Sequence, residues 1–418
     1  MTTSPTTLLR YALTLLIGLG LGSALTYWLA RPVAPPPGPP PAPPPALTLT
    51  PRAFSDLPGW SEDALLEARP ALEKSCARLA AAASANTDSE KTDRIGSLEI
   101  SKSDWRAACE RVLAAPREPG AFRQALMDAF VPYGVGDGEK ADGLFTGYYE
   151  ATLRGSLTRE GPYQVPLYGL PRDLINVVLR DFIPAATLER ADVPATVVGR
   201  AVNGRLKPYF TRADIDGADA IAGQSEVIAW VDDAVDAHIL HIQGSGQVTL
   251  PDGRMMRVGF AGHNGHAFRG LGRILIDEGA VDRDNASMIA IREWLKKNPA
   301  RAAELMNRNA RYIFFRAIEG DGPIGAQNVA LTPGRSLAVD RRHIPLGTPL
   351  WLDSTGPDGE PLQRLMVAQD VGAAITGVVR GDFFWGSGEG AFAKAARMKS
   401  PGRYFALVPK TAQNQGKP

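Results

Sequence analysis

Cysteine is nearly absent: the 418 residues include two, Cys76 and Cys109, which excludes a dense disulfide scaffold and, at that separation, a zinc site built on cysteine alone. An excess of one charge is also lacking. The 46 basic and 45 acidic side chains leave a formal net charge of +1, with no long block of either sign, so no nucleic-acid footprint or acidic tail is present. The five histidines, His238, His241, His263, His266 and His343, show neither the His-Glu-x-x-His helix nor another metal-ligand spacing. Gly244-Ser245-Gly246 lacks the fuller pattern of a nucleophile elbow, which argues against a serine hydrolase. Neither a metal nor an organic cofactor is expected. Long hydrophobic runs are confined to residues 11–30, an uncharged segment between Arg10 and Arg31 that is long enough to cross a bilayer.

What is present divides the chain. Residues 1–31 read as a signal or N-terminal membrane anchor, uncleaved in preference to cleaved at the small residues Gly22-Ser23-Ala24. No cysteine lies nearby to carry a lipid. Residues 32–50 form a proline-rich linker whose polyproline run reaches about 45 Å at about 3.1 Å per residue. Helical character fills 61–83, 103–113 and 121–130, with Ser61, Glu62 and Asp63 as a cap and acidic first turn. After Gly143 short β-type runs take over, among them 144–153 and 227–242; helical patterns return at 267–278, 285–297 and 390–398. On this reading Trp230 is a core residue and His241 lies on a strand, facing solvent. His263 and His266 fix a loop. The mixture predicts an α+β, mainly β, fold and excludes regular strand–helix alternation. If the chain enters an oxidising compartment, Cys76 and Cys109 are placed to join two helices; two unpaired thiols are the alternative.

Three aspartates in the last hundred residues stand beside glycines or strand ends: Asp340 in SLAVDRRHIPLG, Asp370 after LMVAQ, and Asp382 in VVRGDFFWGSG. Glycine at 372, 377, 381, 386 and 388 permits tight turns and close approach of a ligand to the main chain. The segments DVGAAITG from Asp370 and GDFFWG from Gly381 resemble the signature of the three-aspartate double-psi β-barrel domain. Together with FTGYYE from Phe145, HIQGSG from His241 and GHNGHAFR from Gly262, they resemble the membrane-bound lytic murein transglycosylase A family in order and spacing over residues 55–409.

The resemblance implies a double-psi β-barrel with a helical flank, made from residues 51–150 and 318–410, an inserted β-rich domain at 151–317, a glycan groove between them, and a tail at 411–418. It implies Asp382 as the catalytic acid, Asp370 and Asp340 as supporting aspartates, and Thr146 beside the catalytic carboxyl. Tyr148, Tyr149, Gln243, Gly244, Ser245 and Trp385 fall in motifs that imply substrate contact. The family often has Gly where Ala373 stands and Lys where Thr376 stands, so a lysine contact is not carried over. The implied activity is cleavage of peptidoglycan between N-acetylmuramic acid and N-acetylglucosamine, giving 1,6-anhydromuramoyl ends. It also implies a periplasmic setting in a Gram-negative bacterium, tethered to or released from the inner membrane, with glycan strands as partner and cell-wall synthesis or division proteins as further partners. An ordinary glycosidase needs two carboxyl groups, whereas intramolecular attack by the sugar's own hydroxyl needs neither nucleophile nor water. Burial and the like charges of Asp370 and Asp340 are expected to raise the Asp382 pKa. A non-catalytic peptidoglycan-binding scaffold and a hydrolase with Asp370 as base are the alternatives.

Overall fold

A computed structural model describes residues 47–84, 92–184, 187–188, 195–282, 287–320 and 322–415. The expected anchor, its cleavage point and the polyproline run lie outside the described residues, but the linker expected to reach residue 50 ends earlier: Leu47–Pro51 is a strand paired antiparallel with Phe130–Asp137. Among the described residues, no helix is long and apolar enough to cross a membrane.

In chain order the elements are β1 (Leu47–Pro51), α1 (Arg69–Ser84), β2 (Asp93–Ile95), β3 (Leu98–Ile100), α2 (Lys102–Ala114), α3 (Pro119–Ala129), β4 (Phe130–Asp137) and β5 (Gly143–Ser156). Then come β6 (Val165–Tyr168), β7 (Ile175–Val178), β8 (Thr196–Val202), β9 (Arg205–Pro208), α4 (Arg212–Ala218), β10 (Val227–Val231), α5 (Ala234–Gln243), β11 (Ser245–Thr249) and β12 (Met255–His263). The remainder is α6 (Leu271–Asp277), α7 (Met288–Lys297), α8 (Pro299–Asn307), β13 (Ile313–Ile318), β14 (Ser336–Val339), β15 (Pro349–Thr355), β16 (Pro361–Asp370), β17 (Arg380–Ser387), α9 (Gly388–Ala395) and β18 (Lys399–Pro409).

Six strands close a ring in the order β18, β15, β16, β14, β17, β5 and back to β18. Two of its pairings, β14 with β16 and β17 with β5, are parallel, and each needs a long crossover between its members. The long β5 belongs to two assemblies. Its first half pairs with β17 as far as Glu150, and from Ala151 it pairs with β11 of the inserted domain, whose sheet continues through β12 and β13. The strand that supplies one wall of the barrel therefore also founds the insert.

Side-chain alternation along β5 explains both cores. Phe145 packs inside the barrel with Trp351, Phe383 and Tyr404, all essentially inaccessible, whereas Tyr149, Ala151 and Leu153 join Val248, Val258, Phe315 and the apolar faces of α5, α7 and α9. The helical flank is fastened to the barrel by buried polar groups. Arg335, 2% exposed, bonds both carboxylate oxygens of Asp63 at 2.8 and 2.9 Å, and Gln369 donates to Ser75 Oγ and the Ala71 carbonyl on α1. A disulfide joins Cys76 on α1 to Cys109 on α2. Ser101 caps α2 reciprocally with Asp104, the two hydrogen bonds each spanning 3.1 Å.

Four local expectations are corrected. The helix expected from residue 61 begins at Arg69, after a 3-10 turn at Leu65–Ala68, because Asp63 turns its carboxylate to Arg335 and the Leu365 amide rather than to a first helical turn. The β-type run at 227–242 is a strand and then a helix: Asp233 accepts from the Val235 and Asp236 amides and starts α5. His241 consequently sits buried on α5, its Nδ1 accepting from the Ile313 amide, instead of facing solvent from a strand. Trp230 is only half-buried, under the Arg159 guanidinium, and not a core residue.

Candidate active site

The short strand β14 organises the site. Its Ala338 lies opposite Asp382 on β17 and opposite Asp370 on β16, so two carboxylates from different strands flank one small side chain. On the other side of β17, Asp382 is in register with Thr146 of β5. Thr146 Oγ1 donates to Asp382 Oδ1 at 2.6 Å, and two residues on, Tyr148 Oη donates to Asp370 Oδ2 at 3.1 Å. Residues two apart on a strand share a face, so β5 presents one hydroxyl to each carboxyl.

Both aspartates keep some solvent contact, yet desolvation by the surrounding protein is the largest influence on each. Burial pushes Asp382 up to about 6; Thr146 and the Arg380 charge oppose this, and the Asp370 charge adds to it. Burial also pushes Asp370 up to about 6, against hydrogen bonds from the Val371 and Ala326 amides and Tyr148. Of the two like charges expected to lift Asp382, only Asp370 acts. Burial would raise Asp340 too, but the Arg342 guanidinium and the Gly377 and Arg342 amides prevail and hold it down at about 2. An aspartate so firmly ionised fixes the loop before β17 and has no proton to give near neutral pH.

The substrate candidates divide. Gln243 ends α5, and its Oε1 accepts the Tyr149 amide at 3.3 Å, where a bulge after Phe384 interrupts the β5–β17 ladder. Gly244, at φ +80°, terminates the helix in a left-handed conformation with open space around it. Ser245 opens β11, and alternation puts it on the face of Gln247, whose amide donates to buried Glu150 at 2.6 Å. Tyr148, Glu150 and Ser245 thus share one face continuous with the carboxylates. Tyr149 and Trp385 do not join them. Tyr149 packs on Phe392 of α9, and Trp385 covers the opposite face of β5 at Gly147, where a Cβ would lie 2.6 Å from Trp385 Nε1 and 2.9 Å from Ala395 Cα.

Sequence reasoning missed Arg380, which reaches Thr146 Oγ1 with Nη2 at 2.9 Å. The available signal was its position two residues before Asp382, which puts both side chains on one face of β17. Glu150 and its partner Arg257 were missed as well. His263 Nδ1 accepts from the Gly265 amide and His266 Nε2 faces the Tyr209 carbonyl, so both do fix the loop after β12.

With this geometry in hand, comparison with known proteins is decisive. Residues 144–316 match the model of the MltA specific insert domain, and residues 335–408 match that of the 3D domain. A membrane-bound lytic murein transglycosylase A of Escherichia coli K12 is 34% identical over 318 residues, covering 74% of this chain and 76% of that protein. The chain belongs to the membrane-bound lytic murein transglycosylase A family. Among solved structures, a membrane-bound lytic murein transglycosylase from Agrobacterium tumefaciens superposes with a TM-score of 0.75 at 30% identity, covering 88% of this chain and all of that one (100%). MltA from Neisseria gonorrhoeae gives 0.71 at 32% identity, covering 87% and 93%. E. coli MltA with bound chitohexaose gives 0.55 at 29% identity, covering 73% and 83%. As a member of this transglycosylase family the protein is a lytic murein transglycosylase, built on a double-psi β-barrel with an inserted domain.

Proposed function

We propose that Asp382 serves in turn as general acid and general base in non-hydrolytic cleavage of peptidoglycan glycan strands. Protonated Asp382 donates to the oxygen joining C1 of N-acetylmuramic acid to N-acetylglucosamine; the C1–O bond breaks and N-acetylglucosamine leaves with a free hydroxyl. The Asp382 carboxylate then takes the proton of the muramoyl C6 hydroxyl as that oxygen bonds to C1. The product carries a 1,6-anhydro ring, and the aspartic acid is restored. Because the attacking hydroxyl belongs to the same sugar, the second step gains the effective concentration of a positioned group.

The observation that carries this reading is the half-buried Asp382 carboxyl, bonded by Thr146 Oγ1 at 2.6 Å beside Asp370, with burial pushing it up to about 6. A proton is then available near neutral pH and can be accepted back. Asp370 is engaged by three donors, the Tyr148 hydroxyl and the Ala326 and Val371 amides, which disfavours it as the water-activating base of a hydrolase. Asp340 supports the site by pinning Gly377. Tyr148 and Ser245 are the substrate contacts that the shared face favours, with Gly244 open to solvent before Ser245 and Gln243 bracing them; the chitohexaose held by the E. coli relative is a sugar polymer of the kind such a face would take. We place the enzyme in the periplasm, tethered by residues 1–31, with glycan strands as its partner. Mass spectrometry of muropeptides released from purified sacculi tests the reaction: ring-closed ends, one water lighter than hydrolysis products, are expected from the native enzyme and not from Asp382→Asn. Hydrolysed ends, or no release by folded protein, would reject it.

A further inference from the structure

Arg380 is a charged side chain that neither the motifs nor the proposed reaction employs, yet every hydrogen bond it makes falls on the strands carrying the site. Its Nη1 donates to the carbonyls of Leu144 on β5 at 3.1 Å and Gly381 on β17, and its Nη2 donates to Thr146 Oγ1 at 2.9 Å. A guanidinium has no acceptor, so Arg380 must be the donor in this last contact. The Thr146 hydroxyl, with a lone pair so occupied, can turn its single hydrogen only outward, toward Asp382 Oδ1 at 2.6 Å. The chain of donation thus has one direction, from Arg380 to Thr146 to Asp382.

We propose that Arg380 is a positioning residue that, through Thr146, reserves Asp382 Oδ1 as an acceptor and so confines the transferable proton to Oδ2. A free carboxyl group can hold its proton on either oxygen, and half of the encounters with a glycosidic oxygen would then present the wrong one. With Oδ1 occupied by a short O–H···O contact, Oδ2 faces the substrate as donor in the first step and as acceptor in the second. No atom moves between the two oxygens. The arrangement needs a threonine or serine at 146 and a cation at 380; the two backbone carbonyls hold the guanidinium in place. The main-chain ladder between β5 and β17, with Arg380 opposite Leu144 and Asp382 opposite Thr146, sets the spacing.

This inference rests on Asp382 being the acid, and its test separates the two. The alkaline limb of the pH–rate profile reports Asp382, and both the Arg380 charge and the Thr146 hydrogen bond pull its pKa down. Anhydro-muropeptide release should therefore fall at least tenfold in kcat for Arg380→Met, with the alkaline limb moved to higher pH. Thr146→Val should do the same. Arg380→Lys should keep the limb near its native position and recover part of the rate, while Thr146→Ser recovers most of it. Because both residues act on one oxygen, the kcat losses of Arg380→Met and Thr146→Val should fail to multiply in the double variant. Thermal unfolding of each variant separates misfolding from misplacement, and Arg380→Lys supplies a charged, foldable comparison if Arg380→Met is unstable. An unmoved limb in folded Arg380→Met or Thr146→Val, or losses that multiply, would overturn the relay. Full activity in Asp382→Asn would instead overturn the reaction on which it rests.

Discussion

Replacing Asp382 by asparagine should make the protein more stable while removing its activity. Asparagine has nearly the shape of the protonated acid and cannot ionise. The native carboxyl titrates at about 6 against an ordinary value of 3.8, so ionising it is harder in the fold than in the unfolded chain. Roughly two pKa units correspond to about 3 kcal/mol at about 1.4 kcal/mol per unit. Because the side chain retains solvent contact, about 1–2 kcal/mol is the reasonable expectation. Well below the unfolded value of 3.8 the group is protonated in both states and the difference is absent; it grows as pH rises from there to about 6 and is complete above that. Thermal unfolding of native and Asp382→Asn protein should therefore coincide at about pH 2.5 and differ at about pH 7.5, the variant melting about 1–3 °C higher. A gain of equal size at both pH values, or none at pH 7.5, would refute the argument that this carboxyl is destabilised by burial.

Asp370→Asn removes the like charge beside Asp382, so the Asp382 pKa should fall and the alkaline limb of the pH–rate profile should move to lower pH, which a titration of anhydro-product release would register. Breaking the Cys76–Cys109 link, which closes a sequence separation of 33, should cost about 3–4 kcal/mol, read as a lower denaturant midpoint in Cys76→Ser/Cys109→Ser protein or under reductant. Gly147→Ala would drive a methyl group to 2.6 Å from Trp385 Nε1 and 2.9 Å from the Ala395 backbone; a loss of about 1–3 kcal/mol and a depressed kcat are expected, measured by chemical unfolding and muropeptide release.

The family and the clustering of Asp370 and Asp382 were more legible in the sequence than the packing. Asp370 and Asp382 stood out because glycines and apolar runs flank them, Asp370 closing β16 and Asp382 standing early in β17, and the two cysteines fell on helices whose alanine-rich or well-capped character was plain. Faces were harder to read. In FTGYYE and DFFW, alternation does send Tyr148 toward the carboxylates and Tyr149 and Trp385 away, Trp385 packing on Phe383, but membership of a motif does not tell which face a side chain takes. The strand-to-helix change at 232–234 was missed because the capping Asp233 follows Asp232 directly and the apolar character of the strand resumes in the helix. Arg380 was overlooked although its place two residues before Asp382 puts it on the same face of β17, since its partner Thr146 lies 234 positions away.

The manner in which the six-stranded ring closes bears on when the enzyme becomes dangerous to its own cell wall. Gly143 meets Gly402 in the β5–β18 ladder, and Thr146 meets Asp382 across β17. Contacts between such remote parts of a chain form slowly and late. A polypeptide still emerging from its ribosome has Thr146 without Asp382, and it cannot assemble the pair until the final barrel strands are free to thread home.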